Sequence, residues 1–203
     1  EAGTRALGSV ISKLRNNEYV MYDTYTKCVE CSIYPVVDYG TEIWGYVKDA
    51  HTDQVQLKAI RAFLGVHKFA PNLGIMGDMG WCPSHIRRKL CMLRYWNRLV
   101  KLDDDRFTKI AFNEEYSRQG VWCSAIKDVL YEYDCRELYD SRSECDLSLL
   151  KEKMLEKYCT EWQEEVACKP KLRTYKRVKD TFGTEEYVKI NLSRAQKIGR
   201  AHV

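Results

Sequence analysis

The sequence predicts an all-α fold, with a helical bundle followed by a helical extension. Apolar residues recur at spacings of three and four along almost all of the 203 residues, which is the period of an amphipathic helix. Alternating apolar and polar runs, which are typical of half-buried strands, are few. The composition provides for a packed core, because 45% of the residues are hydrophobic and 12% are aromatic. Disordered and collagen-like classes are therefore excluded.

The first 83 residues divide into predicted helices and a loop. Asn16 and Asn17 are predicted to cap the second helix, and Pro35 to bend or end it, because the residue before a proline disfavours helical geometry. Thr52 is predicted to cap a later helix that Gly65 ends. The helical segments span residues 7–14, 16–33 and 52–65, with a short apolar helix or turn at 36–45 and a Gly- and Pro-rich loop at 66–83.

The rest of the chain is predicted to consist of helices with short breaks. The clearest helix runs from Ser84 to Leu102, and further on Gly120 and Pro170 break the pattern. The predicted helices span about 84–102, 103–117, 123–133, 135–141 and 146–168, with a last helix from Thr184. The apolar side of the long helix at 146–168 carries Leu147, Leu150, Met154, Tyr158, Trp162 and Val166.

Charge is distributed unevenly along the chain. The net charge is +5 over residues 1–101, −8 over residues 102–166 and +7 over residues 167–203. Two basic segments that flank an acidic one indicate a nucleic-acid partner. No stretch approaches the roughly 20 apolar residues that span a bilayer, so no membrane partner is expected.

The predicted helix at residues 84–101 concentrates cations on a single side. At about 100° per residue, four of them lie within roughly 60° of one another, on the side opposite the apolar stripe. They form a row roughly 21 Å long at 1.5 Å per residue. This basic ridge consists of Arg87, Arg94, Arg98 and Lys101. Arg88 and Lys89 add charge at the N-terminal end of the helix.

The basic ridge has more than one interpretation. A row of cations at this pitch can follow a phosphate backbone, and arginine offers a bidentate fork to phosphate oxygens. No acidic residue lies between Trp81 and Leu102 to neutralise it. The same pattern fits a solvated face whose cations pair with the acidic residues of 102–166, and it fits, less well, a membrane-surface helix. The residues alone leave phosphate binding and internal pairing open.

A second basic segment lies near the C-terminal end. It contains Lys169, Lys171, Arg173, Lys176, Arg177 and Lys179. Tyr175 lies within it and Phe182 bounds it, and basic residues mixed with aromatic ones are typical of surfaces that contact nucleic-acid strands. A solvated linker between two helices fits the segment slightly better.

Residues with potential for chemistry are better explained structurally. The three aspartates at 103–105 follow a helix without any flanking strand hairpin, so they are predicted to cap a helix and not to hold two metal ions. Cys28 and Cys31 have zinc-ligand spacing but lack a second pair, so they are expected to be small buried residues. His67 and His85 are isolated; contact with phosphate is one interpretation of them, and ordinary loop histidines are the preferred one. No nucleophile-elbow or phosphate-loop motif is present in the sequence.

Cysteine usage and the two chain ends indicate a piece of an intracellular protein, in the nucleus or the cytoplasm. Nine cysteines, an odd number, without a secretory signal favour reduced thiols. The first residue is Glu1 and not Met, so we expect the chain to begin inside a longer protein. Residues 198–203 read Ile-Gly-Arg-Ala-His-Val, which one frame of a widely used sequencing adapter encodes. We expect this hexapeptide to be an artefact and exclude it from the fold.

The sequence contains two linked motifs, Pro-x-x-x-Tyr-Gly-x-Glu-x-Trp at residues 35–44 and Gln-x-x-x-Ile-Arg at residues 56–61. Together they resemble the region that follows the polymerase palm in non-LTR retrotransposon reverse transcriptases of the jockey and RTE type. Further similar blocks lie at residues 5–8, 25–27, 75–81 and 94–99, and the resemblance covers about residues 5–195. The resemblance rests on the combination of these blocks and not on any one of them.

The resemblance implies a helical thumb that grips the RNA/DNA template–primer duplex. Residues 1–102 would be the thumb-like subdomain and residues 103–197 a helical C-terminal extension. The parent protein would be an RNA-directed DNA polymerase that uses Mg²⁺ in a palm domain, which would also be a partner of this segment, with an endonuclease possible upstream. The palm carboxylates do not occur here, so the chain is expected to be non-catalytic, to bind no cofactor itself and to contact nucleic acid through Arg87, Arg88, Lys89, Arg94, Arg98 and Lys101.

Two other hypotheses stand beside this one. A non-enzymatic helical interaction module, in which residues 102–166 dock on the basic ridge, predicts no nucleic-acid affinity at physiological salt. A decayed retroelement copy predicts that residues 1–197 show no cooperative unfolding transition.

Overall fold

A computed structural model of the chain describes residues 1–14, 19–190 and 196. These residues form helices and connections, with no strand among them, so the predicted all-α class is confirmed. The helices are α1 (Ala2–Leu14), α2 (Tyr22–Ser32), α3 (Tyr34–Val37), α4 (Thr41–Trp44), α5 (Ala50–Leu64), α6 (Asn72–Met79), α7 (Ser84–Lys101), α8 (Phe107–Ser117), α9 (Val121–Glu132), α10 (Arg136–Asp140), α11 (Leu147–Cys168), α12 (Tyr175–Val178) and α13 (Glu186–Lys189), with a 3₁₀ turn at Pro170–Leu172. The predicted cap at Asn16 and Asn17 and the hexapeptide 198–203 lie outside the described residues.

Internal contacts divide the chain into two compact units. The first unit comprises the described residues of Glu1–Tyr39, Asp49–Cys82 and Tyr158–Val203, and the second comprises Gly40–Lys48 and Pro83–Lys157. The boundary near the C-terminal end falls within α11. The division into a thumb-like subdomain at residues 1–102 and an extension at residues 103–197 stays a prediction. Within the described part of the chain, no helix combines the length and apolar character of a bilayer-spanning segment.

The core of the first unit is built from the apolar stripes of α1, α2 and α5. Val29, Ile33 and Ile60 are completely buried there. The Tyr25 hydroxyl donates to the Ala59 carbonyl at 2.8 Å, and its ring stacks on Trp81 with 6.1 Å between centroids. Polar and aromatic contacts thus fix α2 against α5 in one register.

The core of the second unit surrounds Trp96 in the middle of α7. The Trp96 ring is completely buried, its Nε1 donates to the Ser143 carbonyl at 3.0 Å, and it contacts the Phe112 and Tyr139 rings at 5.4 and 5.5 Å. On another side of α7, α4 approaches so closely that a Cβ on Gly45 would lie 3.0 Å from a carbonyl oxygen of the helix. The position of α7 is therefore determined by packing on several of its faces.

The long helices α7 and α11 have nearly the predicted bounds, but several other predictions are wrong. α1 begins at Ala2 rather than at residue 7, and α2 begins only at Tyr22, although the predicted helix includes residues 19–21. Gly65 ends α5 in the left-handed region at φ 75°, as predicted. The cap of α5 is Asp49 and not Thr52, because the Asp49 carboxylate accepts from the His51 and Thr52 amides at 3.0 and 3.2 Å. The segment 66–83 is not entirely loop, since it contains α6. The Gly-rich faces of α6 are covered by side chains of the C-terminal segment.

The cysteines occur as thiols, and they differ in environment. Burial raises the pKa of Cys123 and Cys145 to about 12, so both behave as small hydrophobic groups. Cys28 and Cys31 lie within α2, as predicted, yet Cys28 is half-buried and Cys31 is exposed. The expectation that Cys31 is buried is wrong, because Val29 and Ile33 take the core side of this helix.

Candidate nucleic-acid interface

Helix α7 separates apolar and basic residues onto opposite sides. The helix starts directly after Pro83 and ends where Leu102 becomes extended, at φ −66° and ψ 145°. Its buried apolar side chains are Ile86, Met92, Leu93, Trp96 and Leu99. At about 100° per residue, the basic ridge lies opposite the middle of this buried arc. The hydrophobic packing of α7 therefore directs the ridge away from the core of the second unit.

Arg94 and Arg98 are the most available cations of the basic ridge. Both side chains are exposed, and they lie one turn apart, about 6 Å along the helix axis. Neither forms an ion pair with a carboxylate of the described residues, and the nearest polar contact of Arg94 is with Cys91 Sγ, at 3.8 Å. Their guanidinium groups can therefore bind an external anion without first breaking an internal pair.

The two outer residues of the ridge are less available. Arg87 is half-buried. Lys101 Nζ lies 2.7 Å from Glu144 Oε2, in a pair whose side chains are 61% and 49% exposed. Exposed pairs of this kind contribute roughly 0–1 kcal/mol, so a phosphate can replace the carboxylate at low cost.

Arg88 and Lys89 do not extend the ridge. Arg88 is only 2% exposed. Lys89 Nζ donates to Glu132 Oε2 at 2.8 Å and lies 5.4 Å from the centroid of the Tyr133 ring. Helical spacing predicts that Lys89 lies on the core side of α7, because it is three residues after Ile86 and four before Leu93, both of them core residues. Arg88 and Lys89 are therefore structural cations of the second unit.

Glu132 forms ion pairs with two lysines, Lys89 and Lys157. Lys157 Nζ lies 2.8 Å from its Oε1. Burial alone would raise the pKa of Glu132, but the hydrogen bonds from Lys157 and Lys89 hold it below its ordinary value. Glu132 thus stays ionised and ties α7 to α9 and α11 within the second unit.

Lys109 is a buried cation that sequence reasoning missed. Its Nζ donates to the carbonyls of Leu99 and Val100, both at 3.0 Å, and lies 5.5 Å from the Phe112 ring centroid. The ammonium thereby caps the C-terminus of α7, where the helix dipole favours a positive charge. Local spacing gives no signal for this contact, since it depends on how α8 folds back on α7.

The second basic segment is packed within the first unit and is not a solvated linker. Leu172 is buried, and the Tyr175 hydroxyl lies 3.0 Å from the Gly74 carbonyl. Lys179 is buried and pairs with Glu185. Phe182 packs edge-on against the Trp162 ring at 5.6 Å, so neither Phe182 nor Tyr175 is available for stacking on a base.

The other candidates form no site in the structure. The aspartates at 103–105 are exposed and lie in the turn before α8, which begins only at Phe107. The prediction that they cap a helix is wrong, because Arg106 occupies the N-cap position of α8 and no side chain caps it. His67 and His85 are exposed on the surface, with His67 in a loop and His85 in the first turn of α7 rather than in the expected loop. Over residues 1–14, 19–190 and 196, no three His, Cys, Asp or Glu side chains gather closely enough to hold a metal ion. No family model, no curated protein and no solved structure matches the chain.

Proposed function

We propose that this chain is a helical, non-catalytic segment of a non-LTR retrotransposon reverse transcriptase. Its role is to hold the RNA/DNA template–primer duplex through the exposed side of α7, inside the cell in the nucleus or cytoplasm. The observation that carries the proposal is the pair Arg94 and Arg98, which is exposed and has no carboxylate partner among the described residues. The resemblance of the motifs at residues 35–44 and 56–61 supports the proposed family, and with it a Mg²⁺-dependent palm elsewhere in the parent protein.

The chemistry of the proposed contact is electrostatic. Each guanidinium offers a planar fork of N–H donors that matches two phosphate oxygens. Each phosphate neutralised on a duplex releases about 0.9 counterion, so binding weakens as salt increases. This contact reads no base and fits a role in holding a duplex of any sequence.

The test is the salt dependence of binding to a fluorescein-labelled RNA/DNA hybrid duplex, measured by anisotropy. The R94Q/R98Q variant should lower the slope of log K against log salt by about 1.8, which corresponds to two phosphates at about 0.9 each. Replacing Arg87, Arg94, Arg98 and Lys101 together should lower it by about one for each phosphate that is no longer neutralised. The K27Q/K58Q variant, which removes two exposed lysines of the first unit, is the matched control. A slope for R94Q/R98Q equal to that of the control would remove α7 from the interface.

A second candidate function is the non-enzymatic interaction module. The observation in its favour is that the acidic segment supplies partners to two cations of α7, in the pairs Lys89–Glu132 and Lys101–Glu144. In this case the wild-type chain binds no duplex at physiological salt. The same anisotropy titration therefore distinguishes the two candidates before any variant is made.

A further inference from the structure

The second basic segment is held rigidly against α6. Leu172 is buried in a cluster with Trp162, whose Nε1 donates to the Leu73 carbonyl at 2.9 Å. Three residues later, the Tyr175 hydroxyl lies 2.7 Å from Asp78 Oδ1, on the last turn of α6. Two anchors in four residues fix the backbone of the segment, so the side chains between and beside them are presented from a defined position.

Four cations of this segment point to solvent without a carboxylate partner among the described residues. They are Lys171, Arg173, Lys176 and Arg177. Lys176 Nζ contacts only a backbone oxygen, the Ala167 carbonyl at 3.2 Å. The neighbouring Lys169 and Lys179 are neutralised by Glu165 and Glu185. Since residues 169–179 contain no acidic residue, positive charge accumulates on this surface.

An exposed aromatic ring lies in the loop between α5 and α6. Phe69 is 80% exposed, although the loop around it is well fixed. Arg61 Nη2 donates to the Ala70 carbonyl at 3.0 Å and to Asn72 Oδ1 at 2.5 Å. Lys68 Nζ lies 5.1 Å from the Phe69 ring centroid, which adds a cation beside the ring. The His67 ring lies 5.0 Å from the Phe69 ring on the same loop, and most of the phenyl surface stays open to solvent.

The ring lies just before the start of α6, and the basic segment runs along α6 from Gly74 in the first turn to Asp78 in the last. The loop leads directly into α6, and Phe69 precedes Gly74 by five residues, a chain length of at most roughly 17 Å. Gly74 itself contacts the basic segment, since a Cβ on it would lie 3.6 Å from Leu172 Cδ2. A strand of a few nucleotides can reach both the ring and the cations.

We propose that the first unit carries a binding site for single-stranded nucleic acid, with phosphates held by Lys171, Arg173, Lys176 and Arg177 and a base stacked on Phe69. An aromatic ring beside unpaired cations is the combination that binds single strands without sequence preference. Bases within a duplex are already stacked and paired, so the ring selects an unpaired strand. This site uses residues other than those of α7 and does not depend on the duplex-binding proposal.

The test uses the full chain and a fluorescein-labelled 12-nucleotide oligo(dT), which forms no duplex. The K171Q/R173Q/K176Q/R177Q variant should bind at least tenfold more weakly at low salt. Its salt slope should fall by about 2.8, which corresponds to about 0.7 for each of four phosphates on a single strand. The control removes four exposed lysines elsewhere, in the variant K13Q/K27Q/K48Q/K58Q. If the control lowers affinity and slope as much as the test variant, the charge effect is general and the site does not exist.

Phe69 provides an independent readout. F69A should weaken oligo(dT) binding about fivefold or more, because the ring no longer stacks on a base, while the salt slope stays unchanged. F107A removes a phenyl ring that is 91% exposed in the second unit and should leave affinity within twofold of wild type. Equal affinities for F69A and wild type would overturn the stacking contact. R94Q/R98Q should retain oligo(dT) binding, so failure of duplex binding and failure of this site are separately visible.

Discussion

Replacing Gly77 by alanine tests how the C-terminal segment of the first unit is held against α6. A Cβ built on Gly77 would lie 2.6 Å from the Tyr175 hydroxyl, 3.1 Å from Trp162 Cε2 and closer still to Trp162 Cζ2. Real Cβ atoms do not approach other heavy atoms this closely, so one of the two rings must move. Both rings are held by hydrogen bonds to α6, at Leu73 and Asp78, which the movement would stretch or break.

The expected magnitude is a balance of three effects. Overpacking of this kind costs roughly 1–3 kcal/mol. Loss of one hydrogen bond adds about 1 kcal/mol, and the higher helix propensity of alanine returns about 1 kcal/mol. G77A should therefore lower the free energy of unfolding by about 2 kcal/mol. For a chain of this size the corresponding fall in Tm is roughly 4–8 °C.

The matched control is G8A in α1, another glycine inside a helix of the same unit. No heavy atom lies within 4 Å of a Cβ built there, so only the propensity gain of roughly 0.5–1 kcal/mol remains. Urea unfolding followed by far-UV circular dichroism and tryptophan fluorescence measures both variants. The two substitutions should act in opposite directions. A G77A variant as stable as G8A would show that Trp162 and Tyr175 do not pack on this helix face.

Two further predictions concern buried ionisable groups. Burial raises the pKa of Asp78 above its ordinary value of 3.8, although hydrogen bonds from Tyr187 and Tyr175 oppose the shift. The folded state thus holds the proton of Asp78 more strongly than the unfolded state does. Above pH about 4 the wild type should therefore lose stability relative to D78N as the pH rises. Urea unfolding of both proteins across pH 4–7 measures this, and a stability difference that does not change with pH would contradict it. K109M should lower the free energy of unfolding by roughly 1–3 kcal/mol, because the two carbonyls at the end of α7 lose their charged donor. K151M, at an exposed position of α11, should stay within about 0.5 kcal/mol of wild type in the same urea experiment, and equal effects of the two would refute the capping role.

Helices with a long amphipathic period were predictable from the sequence, and α6 was not. The ranges of α7 and α11 follow from apolar residues repeated over four or more turns. In α6, Pro71 before the helix and Gly74 and Gly77 within it are typical of a loop. Gly77 leaves the space that the Trp162 and Tyr175 rings occupy, whereas a Cβ on Gly74 would only make ordinary contact with Leu172 and Tyr175. The partners lie about 85 to 100 residues away, beyond the reach of any local pattern.

For the candidate interface, the positions of the cations around α7 were predictable from the sequence, but their availability to a partner was not. The angular position of Arg94 and Arg98 follows from helical geometry alone, and the structure exposes both. Arg88 was predicted to contact nucleic acid from its charge alone. It lies four residues before Met92, on a side of the helix that faces the core, and is therefore buried. The availability of each cation depends on tertiary neighbours such as Glu132 and Glu144, which only the folded structure brings into contact with α7.

Internal pairing decides which cations of each unit remain available to a partner. The acidic residues of 102–166 neutralise Lys89 and Lys101 but leave Arg94 and Arg98 without an ion pair among the described residues. In the first unit, Glu165 and Glu185 neutralise the two outer lysines of the basic segment and leave the four cations between them. Pairing these exposed cations internally would contribute only roughly 0–1 kcal/mol for each pair, so the fold loses little by leaving them without one. Because both sets lie on anchored elements and have no carboxylate partner among the described residues, the polyanion of either proposal would bind there without breaking an internal pair.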